Sequence, residues 1–162
     1  MGNRAGNRTA VVAVLWALLA LPLFAAAQDR LVRFEGGIGV VPVRPDGPNL
    51  VRGVGPGGQP WVISRLSADV RTDGRISVDG RGLLLGGGNN IGTNGGQQVR
   101  ARLFCGQGNG VPFDSALVAL NDDGDFRIEG QLPGLLLSQC ERPVLLIINA
   151  GGVWFAAGIP KL

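Results

Sequence analysis

The sequence predicts an all-β protein, a single-domain antiparallel β-sandwich, on three observations. After residue 27, short apolar runs are separated by Gly, Pro, Asn and Asp, and no window keeps a 3.6-residue apolar period. Two Asp-Gly pairs lie between segments in which apolar and polar residues alternate, as in hairpins with one buried face. The run 144–148 is apolar throughout, as in a central strand covered on both sides. Two packed sheets explain both patterns, and a small β-barrel is the alternative.

Eleven strands are expected, some of them as edge pieces or fragments of a longer strand. In chain order they cover residues 31–35, 38–43, 49–54, 61–71, 75–79, 83–85, 97–105, 113–120, 125–129, 143–149 and 153–159. The clearest connections are the turns at Asp73-Gly74 and Asp123-Gly124. Asp-Gly supplies the positive φ that a tight hairpin requires, so both glycines should adopt it.

The segments around these two turns resemble each other at a constant offset of 50 residues. The matching residues are Ala68, Val70, Asp73, Gly74, Ile76, Val78, Asp79 and Gly80 in the first segment, and Val118, Leu120, Asp123, Gly124, Phe126, Ile128, Glu129 and Gly130 in the second. An old duplication explains the match, and so do two hairpins that solve the same packing problem twice. We favour the second interpretation.

Residues 1–27 have the three parts of an export signal. Arg4 and Arg8 precede an apolar run, and small residues follow that run at a cleavage site. Cleavage between Ala27 and Gln28 would leave a secreted β-sandwich domain of residues 28–162, in the periplasm or outside the cell. An uncleaved anchor is the alternative, because the apolar stretch is just long enough to span a membrane. Pro22 interrupts that stretch and favours cleavage, and no transmembrane segment is expected in the mature chain.

The export signal also bears on the only two cysteines, Cys105 and Cys140. Two cysteines in an exported chain most often pair, so a disulfide is expected, with two buried thiols as the alternative. A bond between them would close a loop of about 35 residues and stabilise the fold by about 4 kcal/mol in the chain-entropy description.

Charge and composition exclude several kinds of function. Without the signal, 13 basic residues stand against 12 acidic ones, and the arginines alternate with apolar residues instead of clustering. Nucleic acid is therefore not an expected partner, whereas a cell-envelope or protein partner stays open. The chain contains no His and no Tyr, which removes the usual general base and the usual zinc ligand. We expect no enzyme, no cofactor and no metal ligand.

Two carboxylates can nevertheless catalyse hydrolysis without histidine, so a carboxylate hydrolase is kept as a third hypothesis. The candidates are Asp73, Asp79, Asp123 and Glu129, which are interpreted here as turn or outward strand residues. Residues 121–125 hold several oxygen-bearing side chains, but the spacing of an EF-hand fails there. A hairpin turn with solvated charges is the preferred interpretation, and calcium binding at the Asp-Gly turns is left open.

The loop 86–96 is the best candidate for a contact surface. It is rich in Gly and Asn, it lacks the spacing of a phosphate-binding loop, and it is the longest polar loop. We expect it to be a flexible or irregular surface loop. Trp61 and Trp154 would favour carbohydrate binding if they were exposed beside a groove, but core packing is the expectation for both.

Several segments together resemble a group of exported bacterial small β-domain proteins of unassigned function. They are residues 34–40, 78–85, 103–106, 124–128 and 154–160, which span nearly all of the mature chain. The resemblance implies export and a single domain, and it implies no activity or catalytic residue. The leading functional hypothesis is a secreted or envelope-associated, non-catalytic protein that acts by binding or by structural presence. The alternative is a carbohydrate or small-ligand module that uses the 86–96 loop.

Overall fold

The computed structural model describes residues 1–2, 30–43, 48–134 and 140–161. Regular structure in these ranges is entirely β, so the predicted all-β class is confirmed. The strands are β1 (Arg30–Gly39), β2 (Trp61–Val62), β3 (Arg65–Arg71), β4 (Arg75–Arg81), β5 (Leu84–Leu85), β6 (Gln98–Cys105), β7 (Val111–Asp114), β8 (Val118–Ala119), β9 (Phe126–Gln131), β10 (Val144–Asn149) and β11 (Trp154–Lys161). The predicted cleavage position between Ala27 and Gln28 lies outside the described residues.

Nine strands form one antiparallel sheet in the order β7-β6-β10-β11-β1-β3-β4-β9, with β8 paired to β6 beside β7. β2 and β5 form a small second sheet. Because β8 pairs with β6 and runs through the turn at 121–125 into β9, the two ends of the large sheet are linked. The large sheet is curled into a half-barrel around one core, an arrangement consistent with a sandwich or a barrel-like fold.

Side-chain alternation explains which residues enter this core. In β3 and β4 every second residue is buried and apolar, and the residues between them face solvent. β10 behaves differently, since all four side chains from Leu145 to Ile148 are completely buried. Successive side chains of a strand point to opposite faces, so both faces of β10 are covered, as the apolar run 144–148 predicted.

Several predicted strands differ from the observed ones. The predicted strands 31–35 and 38–43 form one strand, β1, which ends at Gly39. Residues 49–54 form no strand, because Val51 and Val54 pair across a two-residue turn in which Arg52 and Gly53 both have positive φ. The predicted strand 61–71 is divided into β2 and β3, which belong to different sheets. Likewise 113–120 is divided into β7 and β8, which pair with successive parts of β6.

Both predicted Asp-Gly turns are confirmed, but only the first closes a hairpin. β3 pairs with β4 across the first turn, whereas β8 pairs with β6 and β9 pairs with β4, so the strands beside the second turn do not pair with each other. Gly74 has a φ of 84° and Gly124 a φ of 76°, which is the conformation expected of Asp-Gly. Each glycine donates its backbone N–H to the carbonyl three residues earlier, on Arg71 and Asn121 respectively, at 2.9 Å.

The two similar segments pack against each other with an approximate two-fold relation. Their second strands, β4 and β9, pair so that Val78 lies opposite Ile128, its own match at the 50-residue offset. The backbone N–H of Leu83 donates to the carbonyl of Gly124 at 2.9 Å. In the same way the N–H of Leu132 donates to the carbonyl of Gly74 at 2.8 Å. Each Asp-Gly turn therefore accepts a hydrogen bond from the residues that follow the second strand of the other segment.

The predicted disulfide between Cys105 and Cys140 is present, with a Cα–Cα distance of 5.0 Å. It joins the end of β6 to the chain just before β10. Arg52 strengthens the same corner, because its Nη1 donates to the carbonyl of Gly106 at 2.9 Å and its Nη2 to that of Arg142 at 2.7 Å. These bonds fasten the turn at 51–54 to the disulfide corner.

Replacing Gly124 with alanine should destabilise the protein more than replacing Gly92. Both have positive φ, so an added Cβ strains either backbone. A Cβ on Gly124 would also lie 2.5 Å from the backbone oxygen of Leu83, whereas one on Gly92 meets nothing within 4 Å. We expect a loss of about 1 kcal/mol for Gly92→Ala and about 2 kcal/mol or more for Gly124→Ala. Urea unfolding measures both, and equal losses would contradict the close approach of Leu83.

Candidate functional site

The loop 86–96 forms one wall of a groove of about 300 Å³, here named the amide groove. Residues before β2, at the start of β6 and around the β10–β11 turn form the other walls. Its polar lining consists of four side-chain amides, those of Gln59, Asn90, Gln97 and Asn149. Among the described residues that line it, none is ionisable. The groove is therefore suited to hydrogen bonding with an uncharged molecule.

Two of these amides are held in place by a chain of hydrogen bonds. The amide nitrogen of Asn149 donates to Oε1 of Gln97 at 3.1 Å, and Nε2 of Gln97 donates to the carbonyl of Gly95 at 3.3 Å. Oδ1 of Asn149 accepts the backbone N–H of Val153 at 3.1 Å. Each amide nitrogen carries two hydrogens, so these bonds use one N–H of each side chain and leave the other for a ligand.

The aromatic side chains near the groove are packed rather than displayed. The rings of Trp61 and Phe155 stack with centroids 4.0 Å apart, and both residues line the amide groove. Trp61 is only 5% exposed, and Trp154 is 6% exposed with its Nε1 donating to the carbonyl of Asn49. The expected core packing of both tryptophans is confirmed. The groove therefore offers side-chain amides rather than an open aromatic face.

The loop 86–96 is held by hydrogen bonds at both ends in spite of its composition. The backbone N–H of Leu85 donates to the carbonyl of Thr93 at 2.9 Å. At the other end, Nδ2 of Asn94 donates to the carbonyl of Asn121 at 2.8 Å, and its Oδ1 accepts the N–H of Gly96. The bond from Asn94 attaches the loop to the turn that precedes β9. The loop is irregular, as expected, but it has defined attachments that position Asn90 beside the groove.

A larger concave surface, about 690 Å³ in volume, lies on the outer side of the large sheet. We name it the arginine groove, because Arg30, Arg71 and Arg75 line it together. Two carboxylates also line it, those of Asp69 and Glu129. Arg30 donates to Asp69 at 2.5 Å, and Ser77 donates to Glu129 at 2.9 Å.

Three of the four carboxylates selected from the sequence, Asp73, Asp79 and Glu129, are paired with neighbouring arginines, and Asp123 is exposed at its turn. Arg81 contacts Asp79 through Nε at 2.9 Å and Asp125 through Nη1 at 2.8 Å. Hydrogen bonds from Arg81 are the main cause that lowers the pKa of both carboxyl groups. The pKa of Asp73 is lowered in the same way by hydrogen bonds from Arg75. These groups are held in the ionised form.

The turn at 121–125 is held by hydrogen bonds within the turn and to the chain that follows β4. Oδ1 of Asn121 accepts the backbone N–H of Asp125 at 2.8 Å, and the Asp125 carboxylate also accepts the N–H of Gly82 at 3.0 Å. Asp123 lies exposed at the tip. Over the described ranges there is no group of three or more His, Cys, Asp or Glu residues placed to hold a metal ion.

The sequence did not predict three of the groove amides, those of Gln59, Gln97 and Asn149. Each amide stands alone in its own segment, and only folding brings them together.

Comparison with known proteins found no matching family model, no matching curated protein and no matching solved structure. A search of the described part of the chain found no helix with the length and apolar character needed to cross a membrane.

Replacing Arg81 with methionine should raise the pKa of Asp125 toward its ordinary value. The bond from the N–H of Gly82 remains, so the return should be partial. A carboxyl group with a lowered pKa in the folded state stabilises the protein above its unfolded pKa, and this stabilisation is lost as the pH falls through the folded pKa. The loss of stability from about pH 4 downward should therefore become shallower in Arg81→Met. Carboxyl ¹³C titration measures the pKa, and thermal melts across this pH range measure the slope.

Arg127→Met is the matched control, because Arg127 lies on the same face but makes its ion pair with Glu129. The control should leave the titration of Asp125 as it is in the wild type. A similar change in both variants would show that general surface charge, and not the Arg81 contact, sets the pKa of Asp125.

Proposed function

We propose that this protein is an exported, non-catalytic binding protein whose ligand site is the amide groove. The observation that carries the proposal is the fixed chain of amides from Asn149 through Gln97 to Gly95, in a groove with an uncharged lining. Hydrogen-bonding groups that are already oriented lose little conformational freedom when a ligand binds. A site of this kind is favoured for recognition rather than for chemistry.

The ligand class follows from the lining. A charged ligand would leave its charge without a partner in this groove, which is costly when water is displaced. An apolar ligand would leave the amides without partners, which is also unfavourable. A small molecule with several hydroxyl groups, such as a neutral sugar, can donate to the amide oxygens and accept from the amide N–H groups. The apolar faces of such a molecule can contact Leu85 and Val153.

A hydrolase is the less favoured function. Asp69 and Glu129 share the arginine groove, and they lie on β3 and β9 with β4 between them. Two strand spacings separate them, which is about 10 Å. Each is hydrogen-bonded to an arginine and partly open to solvent. Neither has the apolar surroundings that keep a catalytic acid protonated near neutral pH.

Titration with glucose, N-acetylglucosamine and cellobiose tests the site directly. We expect at least one of these sugars to shift the side-chain NH₂ signals of Gln97 and Asn149 in ¹H–¹⁵N spectra. Asn90→Ala should weaken that binding by about threefold to tenfold, since one hydrogen bond contributes about 0.5 to 1.5 kcal/mol. Isothermal titration calorimetry gives the dissociation constants.

Asn89→Ala is the matched control, because Asn89 is an exposed neighbour in the same loop that does not line the groove. It should bind like the wild type. Equal weakening in the two variants, or no response of the groove amides to any of the three sugars, would refute the proposed site.

The export part of the proposal rests on the N-terminal pattern and on the disulfide between Cys105 and Cys140. A disulfide persists most readily in an oxidising compartment, and the periplasm or extracellular space provides one. The resemblance to exported bacterial proteins of unassigned function fits the same location.

N-terminal sequencing of the protein recovered from a bacterial host should find Gln28, or its cyclised form, as the first residue. Ala27→Arg should block this cleavage, because the signal peptidase requires a small residue there. Recovery of the wild-type protein from membranes with Met1 retained would instead favour the uncleaved anchor.

A further inference from the structure

We propose that the arginine groove is a second ligand site, which binds an oxyanion group at Arg71. Three arginines converge there from three strands. Arg30 and Arg71 are direct partners in the pairing of β1 with β3, and Arg75 begins β4 on the far side of the hairpin turn. All three line the same groove. This site shares no residue with the amide groove, so the inference does not depend on the proposed function.

The charges at this corner do not balance within the described residues. Arg30 is paired with Asp69 at 2.5 Å, and Arg75 is paired with Asp73 at 2.7 Å. No carboxylate of the described residues lies within 4 Å of the guanidinium of Arg71. Glu129, which also lines the groove, is paired with Arg127 at 3.0 Å. Among the described residues, one positive charge of the groove therefore has no paired carboxylate.

The other end of the same strand pair provides an internal comparison. Arg65 and Arg81 are also direct partners there, in the pairing of β3 with β4. Like charges that face each other across a strand pair are destabilising. At that end two carboxylates, those of Asp79 and Asp125, contact Arg81 and offset the repulsion. At the groove end Asp69 contacts Arg30 alone, so an anion at Arg71 would supply the missing negative charge.

The shape of the groove leaves room for such a group. Gly130 of β9 pairs with Ile76 of β4, and a Cβ on Gly130 would meet nothing within 4 Å. The planar guanidinium of arginine offers two parallel N–H groups that match the oxygens of a carboxylate, sulfate or phosphate. The ligand chemistry is therefore an oxyanion, either free in solution or carried by an acidic sugar.

The test is a titration of the full mature chain with sodium sulfate and, separately, with sodium glucuronate, at constant ionic strength maintained with sodium chloride. Constant ionic strength removes the general screening effect. We expect saturable shifts of the backbone and Nε signals of Arg71, with half-saturation on the order of millimolar for an exposed site. Arg71→Gln should weaken binding by at least about threefold, which is the loss expected for one exposed charged contact.

Arg65→Gln is the matched control, because Arg65 is exposed on the same strand but does not line the groove. It should bind like the wild type, and thermal melts confirm that both variants are folded. Saturation by sulfate alone would identify a free inorganic anion as the ligand class, and saturation by glucuronate alone would identify an acidic sugar. A linear response to both anions, or equal weakening in Arg65→Gln and Arg71→Gln, would overturn the proposal.

Discussion

The pairing of β4 with β9 is the contact on which the curl of the large sheet depends. Without it, the sheet would end at β4. The pairing is reinforced at both ends, because the N–H of Leu83 donates to the carbonyl of Gly124 and the N–H of Leu132 donates to the carbonyl of Gly74. Because β8 pairs with β6 beside β7, the pairing of β4 with β9 links the two ends of the large sheet. The same pairing positions the turn at 121–125, to which Asn94 of the 86–96 loop is hydrogen-bonded.

The outer face of the sheet carries arginines and carboxylates, most of which pair with each other. Its arginines alternate with carboxylates along and across the strands, as in the group formed by Asp79, Arg81 and Asp125. Exposed ion pairs of this kind add little stability individually. Arg65 and Arg71, at the two ends of β3, have no paired carboxylate among the described residues. They differ in their strand partners, because Arg81 opposite Arg65 contacts two carboxylates and Arg30 opposite Arg71 contacts one.

The two grooves differ in how their polar groups are arranged, and this difference follows from position in the fold. The amide groove lies between loops, where backbone carbonyls and amides orient the side chains of Gln97 and Asn149. The arginine groove lies on the sheet, where strand register sets which side chains face each other. The first arrangement suits a neutral hydrogen-bonding molecule, and the second suits a charged group.

The sequence by itself determined the all-β class, the two Asp-Gly turns, the inward faces of β3 and β4, and the disulfide between Cys105 and Cys140. Each of these depends on a local preference or on having only two cysteines, so residue order is enough. It did not determine where 61–71 and 113–120 are interrupted, because alternation continues through a break when the two halves merely change partner. The grooves were decided only by tertiary structure. Residues as distant as Gln59 and Asn149, or Arg30 and Arg71, become neighbours through long-range pairing, which leaves no pattern along the chain.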